Sequence, residues 1–517
     1  MTNRVKLVGL VGILLSWTIV FAQGPCANSG GKLACVIPQE YGPGAFSAAG
    51  RGVFANNEHE GHFDNSIGTL LAPVTQEIGR QANLLPLASP SSGSLWDSSL
   101  KTFVPDSSLG PVFGERAETV GRHRLFIGFS YQFLDFDKID GVNLHNFPAL
   151  FTHAEDKNND NPGKDCGIDS SKGQGSINGC AFVRDLIRTV NSVDLKVNQY
   201  TTYVTFGLTR RIDVSAVIPV ENVRMNLTSN DTILLGTNGY YPAPPGSSDA
   251  KTAFPHFDHL WVGCQNTKPA SAAALDPTCL IHQFPDPSIT QGGSKQQNSA
   301  TGIGDIVARV KWNVWHGEKA GFAAGLDMRF PSGDALNYLG SGSYGVKPFA
   351  IFSYRFARIS PHVLAGYEWN SDSITAGGLT TNAKGSVPSD FVYSAGADAL
   401  ITRWLTGSFD IVGQRVFGTQ SVSVTAQPFL APCGDPQQTS PIPPSCTTAP
   451  TPNTVSYNNL TENSNASYNI TNASMGVKLR PFPKVSKLVV TANVLVRLDD
   501  GGLHSKPAPL IGLGYTF

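Results

Sequence analysis

The residues of this chain best spaced for chemistry are its eight cysteines. They fall as four couples: Cys26 with Cys35, Cys166 with Cys180, Cys264 with Cys279, and Cys433 with Cys446. The members of each couple lie nine to fifteen residues apart, and far longer gaps separate the couples. Eight cysteines permit about 105 pairings, and this clustering favours four local disulfides. Zinc binding would ask for CxxC spacing or a nearby histidine pair, and no couple has either. Disulfides form and persist outside the cytoplasm, so the cysteines predict an exported protein.

The other candidate sites each lack a part. Asp156, Asn158, Asp160 and Asp165 resemble a calcium loop without its glycine at position six or its glutamate at position twelve, and read as a solvated acidic loop. His256 and His259 sit in a proline-rich stretch with no third ligand. There is no GxSxG nucleophile elbow and no local cluster of the kind a barrel phospholipase would need. The chain is read as a non-enzyme with no catalytic residues, no cofactor and no metal. A formal net charge of −1 gives no basic field for nucleic acid.

What remains is a set of charges that alternate with apolar residues: Asp305, Arg309, Lys311, Asp327, Arg329, Lys347, Arg355, Glu368, Asp398 and Arg497. Alternation of period 2 places such side chains on one face of a strand and the apolar ones on the other. Twelve strands follow from this pattern, near 123–133, 195–208, 212–225, 302–315, 320–330, 345–356, 359–369, 389–402, 404–416, 467–480, 486–498 and 507–517. The tenth is the most polar. In the last, Pro509, Ile511, Leu513, Tyr515 and Phe517 oppose Leu510, Gly512, Gly514 and Thr516.

The sequence before residue 123 reads differently. Arg4 and Lys6, the apolar run Leu7 to Phe21, and the small residues of Val20-Phe21-Ala22 form a signal peptide, residues 1–22, with cleavage after Ala22. Residues 23–122 form an N-terminal extension with a short amphipathic helix near 67–82, from Ile67, Leu70, Leu71, Val74 and Ile78, followed by a stretch that reads as turns or a hairpin. This extension is expected to be a lumen plug or a periplasmic segment, with added strands as the alternative.

An even strand count, with connections that alternate long and short, is the pattern of a closed membrane barrel. A sandwich has no reason to hold its long connections at one end. A bilayer does, because lipid leaves no partner for open backbone groups. The expected fold is all-β: a transmembrane antiparallel up-and-down barrel of about twelve strands over 123–517, with fourteen as the alternative and long extracellular loops. Three of the cysteine couples fall in those loops. Only 15% of residues are charged, which suits a lipid-facing exterior. Trp312, Phe330, Phe356, Trp369 and Tyr515 suit interfacial girdles. The inward charges are expected to neutralise one another or to line a path for substrate or ion.

Four stretches carry a family resemblance: GIGDIVARVKWNVW at 302–315, GFAAGLDMRFPSGD at 321–334, HVLAGYEWN at 362–370 and the hairpin GLTRRIDVSAVIPV at 207–220. GPVFGERAETVGRHRLFIGFSYQF resembles the opening segment of related barrels. Together they resemble the outer-membrane barrel family named for the meta-pathway of phenol degradation, over about half of the chain. The resemblance implies a porin-like transporter of small, often aromatic or hydrophobic molecules, and no catalytic residues. The expected partners are outer-membrane lipid, the barrel assembly machinery through Phe517, and a small-molecule substrate. The expected location is the outer membrane of a Gram-negative bacterium with both barrel termini in the periplasm. The alternatives are a surface structural or adhesion barrel whose stapled loops bind partners, and an autotransporter-type translocator with the 67–82 helix threaded through it.

Overall fold

The computed structural model describes residues 26, 31–39, 66–81, 94–97, 102–105, 109–152, 186–234, 260–262, 281–283, 291–379, 383–430, 454–482 and 487–517. The signal peptide, the acidic loop at Asp156–Asp165, His256, His259 and the cysteines at 166, 180, 264, 279, 433 and 446 lie outside them. The remaining couple is bridged, Cys26 to Cys35.

Twelve antiparallel strands close into a barrel. They are β1 (Leu125–Ile139), β2 (Leu186–Gly207), β3 (Ile212–Leu234), β4 (Ile306–His316), β5 (Ala320–Phe330), β6 (Gly345–Tyr354), β7 (Ile359–Asn370), β8 (Asp390–Thr402), β9 (Leu405–Leu430), β10 (Thr454–Leu479), β11 (Leu488–Arg497) and β12 (Ala508–Thr516). Each pairs with the next in sequence, and β12 returns to β1 with Leu513 opposite Phe129 and Tyr515 opposite Ile127. Closure leaves no open edge in the wall, which a lipid environment requires. Helix α1 (Leu33–Gln39) and helix α2 (Ser66–Gln81) precede the barrel, as does the small hairpin Ser94–Asp97 with Thr102–Pro105.

All twelve expected strands are present, and their outward parity is the apolar one. Phe129, Val310, Trp312, Phe352, Trp369, Ile511 and Leu513 are exposed on the outer face. Two corrections concern length and register. β2 and β3 run 22 and 23 residues and β9 and β10 run 26 each, well beyond the spans read from sequence. Part of the stretch read as loop before residue 302 is strand Gln291–Ile303, which pairs with the far half of β3. The register of β4 against β5 shifts between Asn313 and Trp315, so Trp315 faces outward where continued alternation would place Val314.

The long strands share one property that explains the missed length. On β2, Tyr200 and Phe206 face outward while Gln199, Thr201 and Thr205 face inward. Further along the same strand the chemistry reverses without a change of parity: Val193, Leu195 and Val197 are buried inside, and Asp194, Lys196 and Asn198 stand outside. β3 reverses in the same place, with Val223, Met225 and Leu227 inside beyond Glu221. β1 reverses after Phe133, with Leu134 and Phe136 inside and Asp135 and Asp137 outside. Below the reversal the outer solvent is lipid. Above it the outer solvent is water, and the barrel encloses an ordinary apolar core. That core packs Leu71, Val74 and Ile78 of α2 with Leu33, Val36 and Ile37 of α1.

This boundary predicts a position-dependent cost for charge on the outer face of β3. Ile218→Arg, on the lipid side, should destabilise by about 2–4 kcal/mol, the range for Arg near the bilayer midplane. Asn226→Arg, past the reversal, should change stability by under about 0.5 kcal/mol, as surface substitutions do. Reversible denaturant unfolding in lipid vesicles reads both.

Candidate functional site in the barrel lumen

The inward face of the membrane-level wall carries the charges singled out by alternation, and most of them join two clusters. In the first, Arg329 lies between Asp305 (3.4 Å) and Glu368 (3.1 Å) and also donates to Ser341 and Asn370. Asp305 accepts from the backbone N–H of Ser341 at 2.8 Å, tying the loop after β5 to the wall. In the second, the Arg309 guanidinium grips Asp327 with two bonds, of 2.6 and 2.7 Å, and its Cζ lies 4.9 Å from the centre of the Phe349 ring. Lys347 pairs with Asp327 at 3.1 Å and reaches Glu368 at 3.8 Å, which links the clusters.

Alternation did not reveal the partner that crosses the lumen. Residues 109–120 lie against inward side chains around the wall. Glu115 pairs with Arg309 and with Lys311, the latter at 3.1 Å. Arg116 faces Asp398 at 3.7 Å. Lys311 donates to the Glu118 carbonyl at 2.9 Å and Asn313 to the Ala117 carbonyl at 2.8 Å. The Val120 N–H donates to Asp213, the Ala117 N–H to Ser353 and the Leu109 N–H to Thr406. Lys478 donates to the Leu109 carbonyl. The segment is therefore held by β3, β4, β6, β8, β9 and β10. Gly114 meets the wall most closely. A Cβ there would stand 2.3 Å from His362 Nε2 and 2.5 Å from Asp410 Oδ1, two side chains that already share a 2.6 Å contact. Burial pushes the Glu115 carboxyl up, and Arg309 and Lys311 more than reverse this, so it is held below its ordinary range.

At the other end of the lumen, α2 is tethered by polar contacts. Arg80 donates to Thr419 at 3.2 Å and Gln420 at 2.9 Å, and pairs with Glu77 at 3.2 Å. Glu77 also accepts from Gln81 and Tyr468. Burial, which outweighs the attraction of Arg80, pushes the Glu77 carboxyl up to about 8. Of the remaining sequence candidates, Lys311 and Asp398 meet the 109–120 segment, and two stand apart from it and from both clusters. Arg497 braces the β11–β12 turn through Asp499 at 2.8 Å and the Gly501 carbonyl. Arg355 lies at the rim, beside the β6–β7 turn, and joins neither cluster.

A closed wall, an outer apolar belt and a charged lumen define a membrane-spanning β-barrel. Residues 224–421 match the family model described as "Putative MetA-pathway of phenol degradation", in keeping with the resemblance read from the sequence. No curated protein matches the chain. Among solved structures, an outer membrane channel from Pseudomonas putida F1 is similar at 10% identity and a TM-score of 0.39, covering 78% of this chain and 99% of that one. A FadL homologue from Pseudomonas aeruginosa is similar at 9% identity and a TM-score of 0.28, covering 83% and 96%.

Two outcomes follow from these contacts. Arg309→Met leaves Asp327 and Glu115 short of a cation and should destabilise by about 3–5 kcal/mol, with the added Asp327→Leu recovering part of that in denaturant unfolding. Glu77 gains its high pKa on folding, so its contribution is full below pH 4.5 and is lost as pH rises through about 8. Hydrogen exchange of α2 should therefore quicken between those pH values once corrected for intrinsic rates, and Glu77→Gln should flatten that dependence.

Proposed function

We propose that this barrel spans a bacterial outer membrane and passes small molecules, aromatic or hydrophobic ones among them, with residues 23–122 acting as a plug. One observation carries this reading. The segment across the lumen is held by side-chain hydrogen bonds and ion pairs, while the wall closes by its own strand pairing, so plug and wall are separable. In this reading the short turns face the periplasm, cleavage follows Ala22, both barrel termini lie on the periplasmic side, and the assembly machinery reads the strand that ends at Phe517.

A second reading, a surface structural or adhesion barrel, is favoured by the projecting 26-residue strands β9 and β10. A cleft of about 920 Å³ beside them, lined by Asp140, Asn143, Asn146, Arg188 and Tyr457, is the surface a partner would meet.

Planar-bilayer recording separates the two. The full chain should conduct weakly, and a chain lacking residues 23–122 should conduct several-fold more, with heat-modifiable gel mobility confirming that it folds. Absence of conductance and of solute flux from both would remove the channel reading and leave the adhesive one. An epitope inserted in the 499–502 turn should bind antibody on intact cells, and one in the 316–320 turn should not.

A further inference from the structure

The two ends of the barrel handle their cations differently. At the end with the long strands several cations are paired with acids, Lys138 with Asp500 at 3.1 Å, Lys506 with Asp135 at 2.8 Å and Lys196 with Asp194 at 2.9 Å, while the exposed Arg188, Arg224 and Lys384 carry no ion pair among the described residues. At the short-turn end every connection carries cations. Arg210 and Arg211 stand between β2 and β3, and Lys319 between β4 and β5. Arg355 and Arg358 follow β6, and Arg403 follows β8. Arg480 and Lys487 flank the β10–β11 turn, while Arg122 and Arg124 lead into β1. All are exposed or half-buried, and among the described residues no ion pair ties any of them to an acid. Against them the described residues at this end set Glu318 and the half-buried Glu118. The chain as a whole is nearly neutral, at −1, so this is a local excess and not a reflection of composition.

Depth and distribution identify what the excess meets. The last outward apolar residues at this end are Leu208, Trp315, Phe356, Trp404, Phe482 and Phe517, each at least 46% exposed. The cations stand within a few residues of them. Side chains of this length, anchored just past an aromatic belt, reach the headgroup layer. They also come from every turn around the circumference. A protein partner docks on one side, whereas an annulus of lipid surrounds the whole rim. Anionic headgroups attract such clusters through their surface charge.

We propose that the short-turn rim is a binding annulus for anionic phospholipid, with phosphatidylglycerol headgroups held by the arginines and lysines of the turns. The leaflet concerned in the cell rests on the orientation proposed above. The binding itself does not, so it is tested on purified protein and its failure is separable from a failure of that orientation.

Native mass spectrometry of the full chain, released from detergent with equal amounts of phosphatidylglycerol and phosphatidylethanolamine, reads the preference directly. The expected result is several-fold preferential retention of phosphatidylglycerol, weakened by salt. The R210Q/R211Q/R358Q/R403Q variant should bring retention to parity while keeping heat-modifiable mobility and conductance. K138Q/K506Q, at the other end, should leave the preference intact. Equal retention of both lipids by the unaltered chain would overturn the proposal, as would a preference that survives the quadruple variant. Displacement of the lipid by soluble polyglutamate at equimolar amounts would also overturn it, in favour of an acidic protein partner.

Discussion

Lipid has no hydrogen-bond donor or acceptor to offer a peptide group. Every strand of this wall must therefore find a neighbour, and the last must find the first. The pairing of β12 with β1 meets that demand, and much else depends on it. Antiparallel closure puts alternate connections at opposite ends, so five connections can be short turns while the others carry the long strands and their loops. It also fixes the parity of every strand at once. A one-residue slip would turn the apolar belt inward and the charges into lipid.

The interior shows how charge is kept at bilayer depth. Arg309, Asp327, Lys347, Glu368, Arg329 and Asp305 form a connected run of opposite charges. Breaking such a run leaves an uncompensated ion, which costs more than the intact pairing gains. The run also meets the 109–120 segment, which presents its own charges, Glu115 and Arg116, to complementary sites on the wall. Of the two fates expected for the inward charges, neutralisation across strands describes these distances directly.

Much of this was legible in the sequence, for a physical reason. Inside the bilayer the outer face must be apolar, so alternation marks each strand, down to the polar tenth. The α2 helix at 66–81 falls within a residue of the expected 67–82 because Leu71, Val74 and Ile78 share one face. The strand extensions were missed because alternation was sought with one sign, and past Gln199 and Glu221 the apolar residues occupy the opposite parity. The seven-residue α1, LACVIPQ, is too short to show a period. Residues 109–120 carried a resemblance to the opening segment of related barrels but no periodicity that placed them across the lumen, because they form neither helix nor long strand. Many of their tethers are backbone groups, which look alike in any sequence.

The route of the N-terminal segment bears on the order of events during assembly. Helices α1 and α2 lie at the long-strand end of the interior, and residues 109–120 cross the opposite end before the chain turns into β1. The described parts of the N-terminal segment thus stand at both ends of the barrel interior. Drawing two helices through a finished ring would mean breaking the buried ion pairs one after another. Curling the wall around a segment already in place needs no such passage. The seam between β1 and β12 joins residues from nearly opposite ends of the barrel sequence, a loop closure that comes late for entropic reasons. A late seam leaves time for the wall to fold around its contents, so the helices and residues 109–120 can serve as a template for closure.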